Sequence, residues 1–192
     1  MAASRNLLQK LGPVSGPSPS FIDALQAAGP AADRAEKMGL YGWLIGAWEM
    51  DTIFRMANGA EVHGKGEIHF GWVLEGRAIQ DVWITPPRGL RDHSIDAGAN
   101  FYGSTFRIYD PGIDAWHIFW LDPVKQFYSR MIGRADGADI EQLTVNETPQ
   151  RRWRFDTITP NSFHWTADVD EGKDGPVQWN RHVEFFARRV AG

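Results

Sequence analysis

Cysteine is absent from the 192 residues of this chain. Its absence excludes disulfides, zinc–thiolate centres and cysteine nucleophiles, and it agrees with a reducing compartment. Long hydrophobic runs are absent too: there is no secretory core, and no segment approaches the ~20 apolar residues of a membrane span. The formal net charge of −4 gives no electrostatic reason to expect nucleic acid or an anionic membrane as a partner. We therefore expect a cytoplasmic protein that binds neither.

Aromatic residues are abundant, with nine tryptophans and eleven phenylalanines. A chain of this length suits one domain with a sizeable core. So much aromatic area is typical of a barrel or sandwich interior, or of a pocket for a flat apolar ligand.

The N-terminal part of the chain is predicted to form an arm followed by short helices. Residues 1–20 are punctuated by Gly-Pro and Ser-Pro pairs and predict a flexible arm. Ser20 is placed to N-cap a helix that runs to about Ala28, and Gly29-Pro30 ends it. A second short helix is predicted to end near Met38. We assign residues 21–39 as a helical segment that covers an open end of the strands.

From Gly46 onward the hydrophobic pattern changes to a period of two, which is typical of strands. Short turns such as Asn58-Gly59 join roughly ten such segments, so consecutive strands must be antiparallel neighbours. Since all the helices precede the strands, the sequence predicts an all-β fold, an up-and-down antiparallel barrel over residues 40–190. The long polar loop over residues 86–100 is predicted to form a rim or lid.

Two short motifs carry a resemblance to a known superfamily. Gly46-Ala47-Trp48 opens the first strand, and Arg188-Arg189 stands near the end of the last. In this respect the chain resembles the calycins, which comprise lipocalins, fatty-acid-binding proteins and nitrobindin-like domains and place a late basic residue over the tryptophan. The run from Gly66 to Arg77 is similar to an uncharacterised bacterial group of lipocalin-like domains. The resemblance implies a barrel that holds a small molecule.

The chain also departs from these groups. Glu49-Met50-Asp51 follows the tryptophan where nitrobindins tend to have Gly-Glu-Gly. The Asn58-Gly59 turn leaves no room for the helix pair that fatty-acid-binding proteins insert after the first strand.

A polar residue in phase with inward apolar residues marks a candidate site, because burying it costs free energy unless a partner satisfies it. Arg181 shares its phase with Trp179 and Val183, and fatty-acid-binding proteins, by resemblance, use an inward arginine on the last strand to hold a carboxylate. A guanidinium offers a bidentate fork for that purpose. The same pattern also suits a structural arginine paired with an internal carboxylate, or one that reaches the barrel mouth.

For the other polar candidates, the sequence pattern allows both an inward and an outward side chain. Either Asp81 or Gln80 faces inward, and an inward Asp81 is a candidate partner of Arg181 or a general base. His117 lies on a strand that is apolar in both phases, so it is a candidate acid–base residue or a satisfied core histidine. Arg107 and Arg130 are candidate ligand contacts of the same ambiguous kind.

Five tryptophans are candidates for the wall of a ligand pocket: Trp48, Trp72, Trp83, Trp120 and Trp179. Nitrobindins, by resemblance, carry a haem-ligating histidine shortly before the terminal basic residue, which makes His182 or His164 the alternative axial ligand. Alternation places both histidines on the outer face, unless a β-bulge shifts the phase at His182. No metal-binding motif is recognised.

Three functions remain open. The first is a carrier of a small, largely apolar or carboxylate-bearing molecule, without a cofactor. The second is an enzyme that acts on such a molecule by proton transfer, as an isomerase, cyclase or lyase does, with Asp81 or His117 as the base. The third is a haem protein of nitrobindin type. An aromatic-rich outer face would favour a homodimer.

Overall fold

Ten antiparallel strands close into one barrel in the computed structural model, which describes residues 20–91, 99–172 and 175–191. Each strand pairs with its neighbours in the chain, and β1 closes the barrel against β10. The strands are β1 Gly46–Arg55, β2 Glu61–Val73, β3 Ala78–Thr85, β4 Phe101–Asp110, β5 Ala115–Asp122, β6 Phe127–Asp136, β7 Asp139–Thr144, β8 Arg151–Asp156, β9 Ser162–Asp170 and β10 Trp179–Arg189. The predicted all-β, ten-stranded, up-and-down barrel is confirmed.

Alternation along the strands decides which side chains fill the barrel. On β1, Trp48, Met50, Thr52 and Phe54 are buried, whereas the residues between them are more exposed. Turn chemistry sets the hairpins: Gly59 and Gly137 adopt positive φ angles of 82° and 62° in the predicted Asn-Gly and Asp-Gly turns. The sequence therefore specifies both the inner face and the points of chain reversal.

The helical segment differs in its boundaries from the prediction. Helix α1 spans Phe21–Leu25 and is capped by Ser20, whose hydroxyl accepts from the Asp23 amide at 3.1 Å. It ends before Ala28 because the chain then pairs with β2: the Ala27 amide donates to the Trp72 carbonyl. Helix α2 spans Ala35–Gly42, four residues past the predicted end. The predicted arm over residues 1–20 lies, except for Ser20, outside the described residues.

Helix α2 plugs one end of the barrel. Met38, Tyr41 and Leu44 are fully buried, and the Tyr41 ring meets the Trp116 ring edge-on at 4.9 Å. Among the described residues, no helix is long and apolar enough to cross a membrane.

The Gly46-Ala47-Trp48 motif completes the plug. The Trp48 indole N–H donates to the Leu44 carbonyl at 2.7 Å. The Arg189 guanidinium lies 4.1 Å from the Trp48 ring centre and donates to the carbonyls of Trp43 and Ile45. In the part of the chain that the structure describes, this end is sealed. The connections from β1 to β2, β3 to β4, β5 to β6, β7 to β8 and β9 to β10 lie at the opposite end.

Candidate functional site

A cavity of about 150 Å³ lies at the end of the barrel opposite the plug. Aromatic side chains form most of its wall. The lining comprises Phe54, Trp83, Phe101, Thr105, Arg107, Trp120, Asp122, Lys125, Phe127, Arg151, Trp153, Trp165, Ala167, His182, Val183 and Phe185. Such a concave, largely apolar site with a few polar groups is the usual form of a small-molecule pocket.

The aromatic wall is tightly packed. The Trp165 and Phe185 rings stack at 4.9 Å, and the Trp83 ring lies 5.3 Å from Trp165. Trp120 faces inward across Gly103, where an added Cβ would come within 2.3 Å of the indole. This glycine therefore makes the room that Trp120 occupies in the wall.

A buried ion pair joins the neighbouring strands β3 and β4 beside the cavity. Asp81 accepts from the Thr105 amide at 2.7 Å through Oδ1 and from Arg107 Nη1 through Oδ2. Both side chains are almost completely buried. The Arg107 guanidinium also lies over the Tyr41 and Phe70 rings, at 5.3 and 5.5 Å. Asp81, and not Gln80, is thus the inward residue of β3, and its partner is Arg107 rather than Arg181.

Three side chains of the cavity wall carry a buried N–H that has no acceptor among the described residues. These groups are Nε1 of Trp83, Nε1 of Trp165 and Nε of Arg107. An unpaired buried donor costs roughly 1–3 kcal/mol, so native proteins usually satisfy it with water or a ligand. These nitrogens have almost no accessible surface, so a molecule in the cavity does not reach them without movement of the surrounding side chains.

A β-bulge brings His182 to the cavity mouth. The pairing of β10 with β9 shifts between Arg181 and Val183, so His182 and Val183 both line the cavity although they are adjacent in sequence. Burial lowers the pKa of His182, and the nearby Arg151 and Lys125 cations lower it further, against the opposing effects of an Asn180 backbone hydrogen bond and Asp168. The imidazole is consequently neutral at pH 7.

The same bulge overturns the prediction that Arg181 faces the lumen. Arg181 is partly exposed on the outer face, where it binds Asp168 at 3.0 Å and Glu184 at 3.2 Å. Two residues that would share a face in a regular strand, Arg181 and Val183, lie on opposite faces here. Trp179 is on the outer face as well, with the Arg152 guanidinium 4.5 Å above its ring.

Two other predicted site residues, His117 and Arg130, also point to the outer face of the barrel. The inward phase of β5 belongs to Trp116, Ile118 and Trp120, so His117 faces outward and binds Asp110 at 2.9 Å. Arg130 is exposed, 3.4 Å from the His117 ring nitrogen. Since neither reaches the cavity, their proposed contacts with an interior ligand are wrong.

His164 is the other outward histidine. Its Nδ1 contacts Asp156 at 2.9 Å, and its ring stacks on Phe186 at 4.6 Å. A ligand in the barrel interior cannot reach it.

The predicted tryptophans divide between the two ends of the barrel. Trp83 and Trp120 line the cavity, whereas Trp48 belongs to the plug and Trp72 packs against α2 at Gly42. Trp153 and Trp165 also line the cavity, although neither was predicted as a wall residue. A usable signal was present, because each lies two residues from an inward phenylalanine, Phe155 or Phe163.

The residues present do not fit a haem. His182 lies at the mouth, where an axial ligand could be placed, but the cavity of about 150 Å³ is bounded by stacked aromatic rings and has no room for a porphyrin. In the part of the chain that the structure describes, no group of three or more acidic or histidine side chains is arranged to hold a metal ion.

The outer face of β5 and β6 exposes several apolar side chains. Phe119, Leu121 and Tyr128 are exposed there, Tyr128 by 78%. This is the kind of surface that favours self-association, and the homodimer stays a prediction.

Comparison with known proteins supports the fold class. No family model matches the chain, and no curated protein matches it in sequence. The crystal structure of Rv2717c from M. tuberculosis is similar in fold, with a TM-score of 0.52 at 11% identity, over 82% of this chain and 99% of that chain. An S-type phycobiliprotein lyase, CPES from Guillardia theta, gives a TM-score of 0.49 at 12% identity, over 85% and 99%. Rv2717c thus shares the fold of this chain, and the relationship to the calycins stays a prediction.

Proposed function

We propose that this protein binds a small, largely apolar molecule in the open end of its barrel. The observation that carries the proposal is the cavity of about 150 Å³ with its largely aromatic wall. Apolar walls supply the driving force for binding. Within the calycins, the finer likeness to nitrobindins or to the bacterial lipocalin-like group stays a prediction.

Binding is favoured over catalysis by the state of the inner carboxylate. Asp81 already accepts from Arg107 and from the Thr105 amide, so it is poorly placed to take a proton from a ligand. His182 is the remaining candidate base, because it is neutral and lines the cavity. Proton-transfer chemistry on the bound molecule is the second candidate function, with His182 in place of the predicted Asp81 or His117.

Filling the cavity tests the proposal. Ala167 lines it, so Ala167→Leu is expected to weaken the binding of toluene or indole at least about tenfold, because the added carbons occupy ligand volume. Isothermal titration and the shifts of the tryptophan indole N–H signals in NMR spectra measure the effect. Ala138→Leu, at an exposed turn near the plug, is the matched control and should bind as the native protein does.

Two results would contradict the proposal. One is native protein whose cavity indole signals do not respond to either probe. The other is equal weakening by the two leucine variants. Haemin added to the apo protein should give no ligation-dependent Soret band, and a band lost in His182→Ala would favour the haem alternative instead.

A further inference from the structure

The charge of Arg107, which lines the cavity, is balanced by the buried Asp81 carboxylate next to it. Asp81 is 0% and Arg107 1% exposed, and the two side chains form a direct ion pair. Arg107 therefore already has a carboxylate partner and is not free to bind a carboxylate of the ligand. An anionic ligand would have to compete with Asp81 for it.

The charges of the described residues at the mouth balance as well. Besides Arg107, the lining holds two cations, Lys125 and Arg151, and one anion, Asp122. Arg151 is bound to the Glu147 carboxylate, which supplies the second negative charge. His182 adds none, because burial lowers its pKa and keeps its imidazole neutral. Among the described residues, two positive and two negative charges thus lie at the rim, beside the balanced pair inside.

A charged molecule entering such a site would lose its hydration without gaining an unpaired counter-charge. Moving an ionised group from water into an apolar environment is unfavourable unless a charge of opposite sign meets it there. A neutral molecule does not bear this cost and still gains from the aromatic walls.

Size narrows the choice of ligand further. An engineered cavity of about 150 Å³ in another protein holds one benzene molecule, and the cavity here has the same volume.

We propose that the cavity selects an uncharged, largely apolar molecule of about one aromatic ring. This inference rests on the proposed function and adds to it the charge and size of the ligand.

Four probes of one size test the selection on the native protein: benzamide, toluene, benzoate and benzylammonium. The two neutral probes, benzamide and toluene, are expected to bind at least about tenfold tighter than either charged probe, because they enter the cavity without an unpaired charge. Calorimetry gives the affinities, and the tryptophan indole N–H signals report whether each probe reaches the cavity. Benzoate or benzylammonium binding as tightly as the neutral probes would overturn the charge selection.

A substitution of Asp81 tests whether its ion pair with Arg107 sets the charge preference of the cavity. Asp81→Asn leaves the Arg107 cation without its counter-charge, so the ratio of benzoate to benzamide affinity should rise at least about tenfold. Asp51→Asn, which removes a carboxylate paired with Lys65 and Arg188 on the outer face, should leave that ratio unchanged. An unchanged ratio in folded Asp81→Asn contradicts the inference, and if that variant does not fold, the four native affinities decide. Failure of all four probes to reach the cavity would instead refute the proposed function.

Discussion

At the scale of single residues, Gly133 shows how close the interior packing is. A Cβ at this position would lie 2.3 Å from the Tyr41 hydroxyl oxygen, the next nearest atom being Gln142 Cγ at 3.3 Å. The Tyr41 hydroxyl has no hydrogen-bond partner among the described residues, and burial raises the pKa of its phenol. The strand glycine is therefore required by a plug residue that is distant in sequence.

This close approach predicts a compensating pair of substitutions. Gly133→Ala is expected to cost about 2–3 kcal/mol of unfolding free energy through overpacking. Tyr41→Phe alone should be nearly neutral, because it removes an unpaired hydroxyl, and the double variant should recover most of the loss. Urea unfolding measures all three. Gly71→Ala, where no atom lies within 4 Å of the added Cβ, is the control. Additive losses in the double variant would contradict the explanation.

At the scale of elements, the outer faces of β8, β9 and β10 are joined by an ion-pair cluster centred on Asp168. Its carboxylate is 2% exposed and binds Arg181 at 3.0 Å and Arg152 at 2.8 Å. Burial alone would raise the pKa of Asp168, but the two guanidinium hydrogen bonds outweigh it and hold the pKa below its usual range. The bulge at His182 fixes this cluster, because it turns Arg181 outward.

The lowered pKa gives the cluster a defined pH dependence. A carboxylate with a depressed folded pKa stabilises the protein above its unfolded pKa of about 4, and this stabilisation is lost as pH falls through the folded value. Asp168→Asn should therefore cost about 2 kcal/mol at pH 7, moderated because Arg181 is partly exposed, and much less near pH 2. Urea unfolding at the two pH values gives the difference. The exposed Asp51→Asn should lose much less at pH 7, and a pH-independent loss for Asp168→Asn would contradict the prediction.

At the scale of the whole molecule, one sealed end and one open end define where a ligand can bind. The seal depends on Arg189, which packs on Trp48 and donates to the carbonyls of Trp43, Ile45 and Pro160. Its neighbour Arg188 points outward to a single exposed partner, Asp51. These adjacent arginines therefore provide a matched comparison of plug and surface.

Arg189→Met is expected to lower the unfolding free energy by about 3 kcal/mol, because several carbonyls lose a charged donor and Trp48 loses its cation. Arg188→Met should lose less than about 1 kcal/mol, as exposed ion pairs usually do. Chemical unfolding followed by tryptophan fluorescence measures both. Equal losses would show that the late basic pair has no special role in sealing the barrel.

Much of the fold follows from local pattern. The period of two after Gly46 and short turns such as Asn58-Gly59 predict roughly ten antiparallel strands, as observed. These features depend on residues close together in the chain. The folded structure keeps them because burying one face of each strand fixes its pairing register. Helix ends were less predictable: α1 stops early since its following residues pair with β2.

The site was decided by tertiary structure. Asp81 meets Arg107 on the neighbouring strand, and the cavity wall combines residues from β1, β3, β4, β5, β6, β8, β9 and β10. One extra residue in β10 turned Arg181 outward and His182 inward, which simple alternation does not reveal. The sequence by itself determined the barrel and its plug, because hydrophobic period and turn chemistry are local. Only the closed structure decided which charges meet in its interior, because that depends on bulges and on contacts between distant segments.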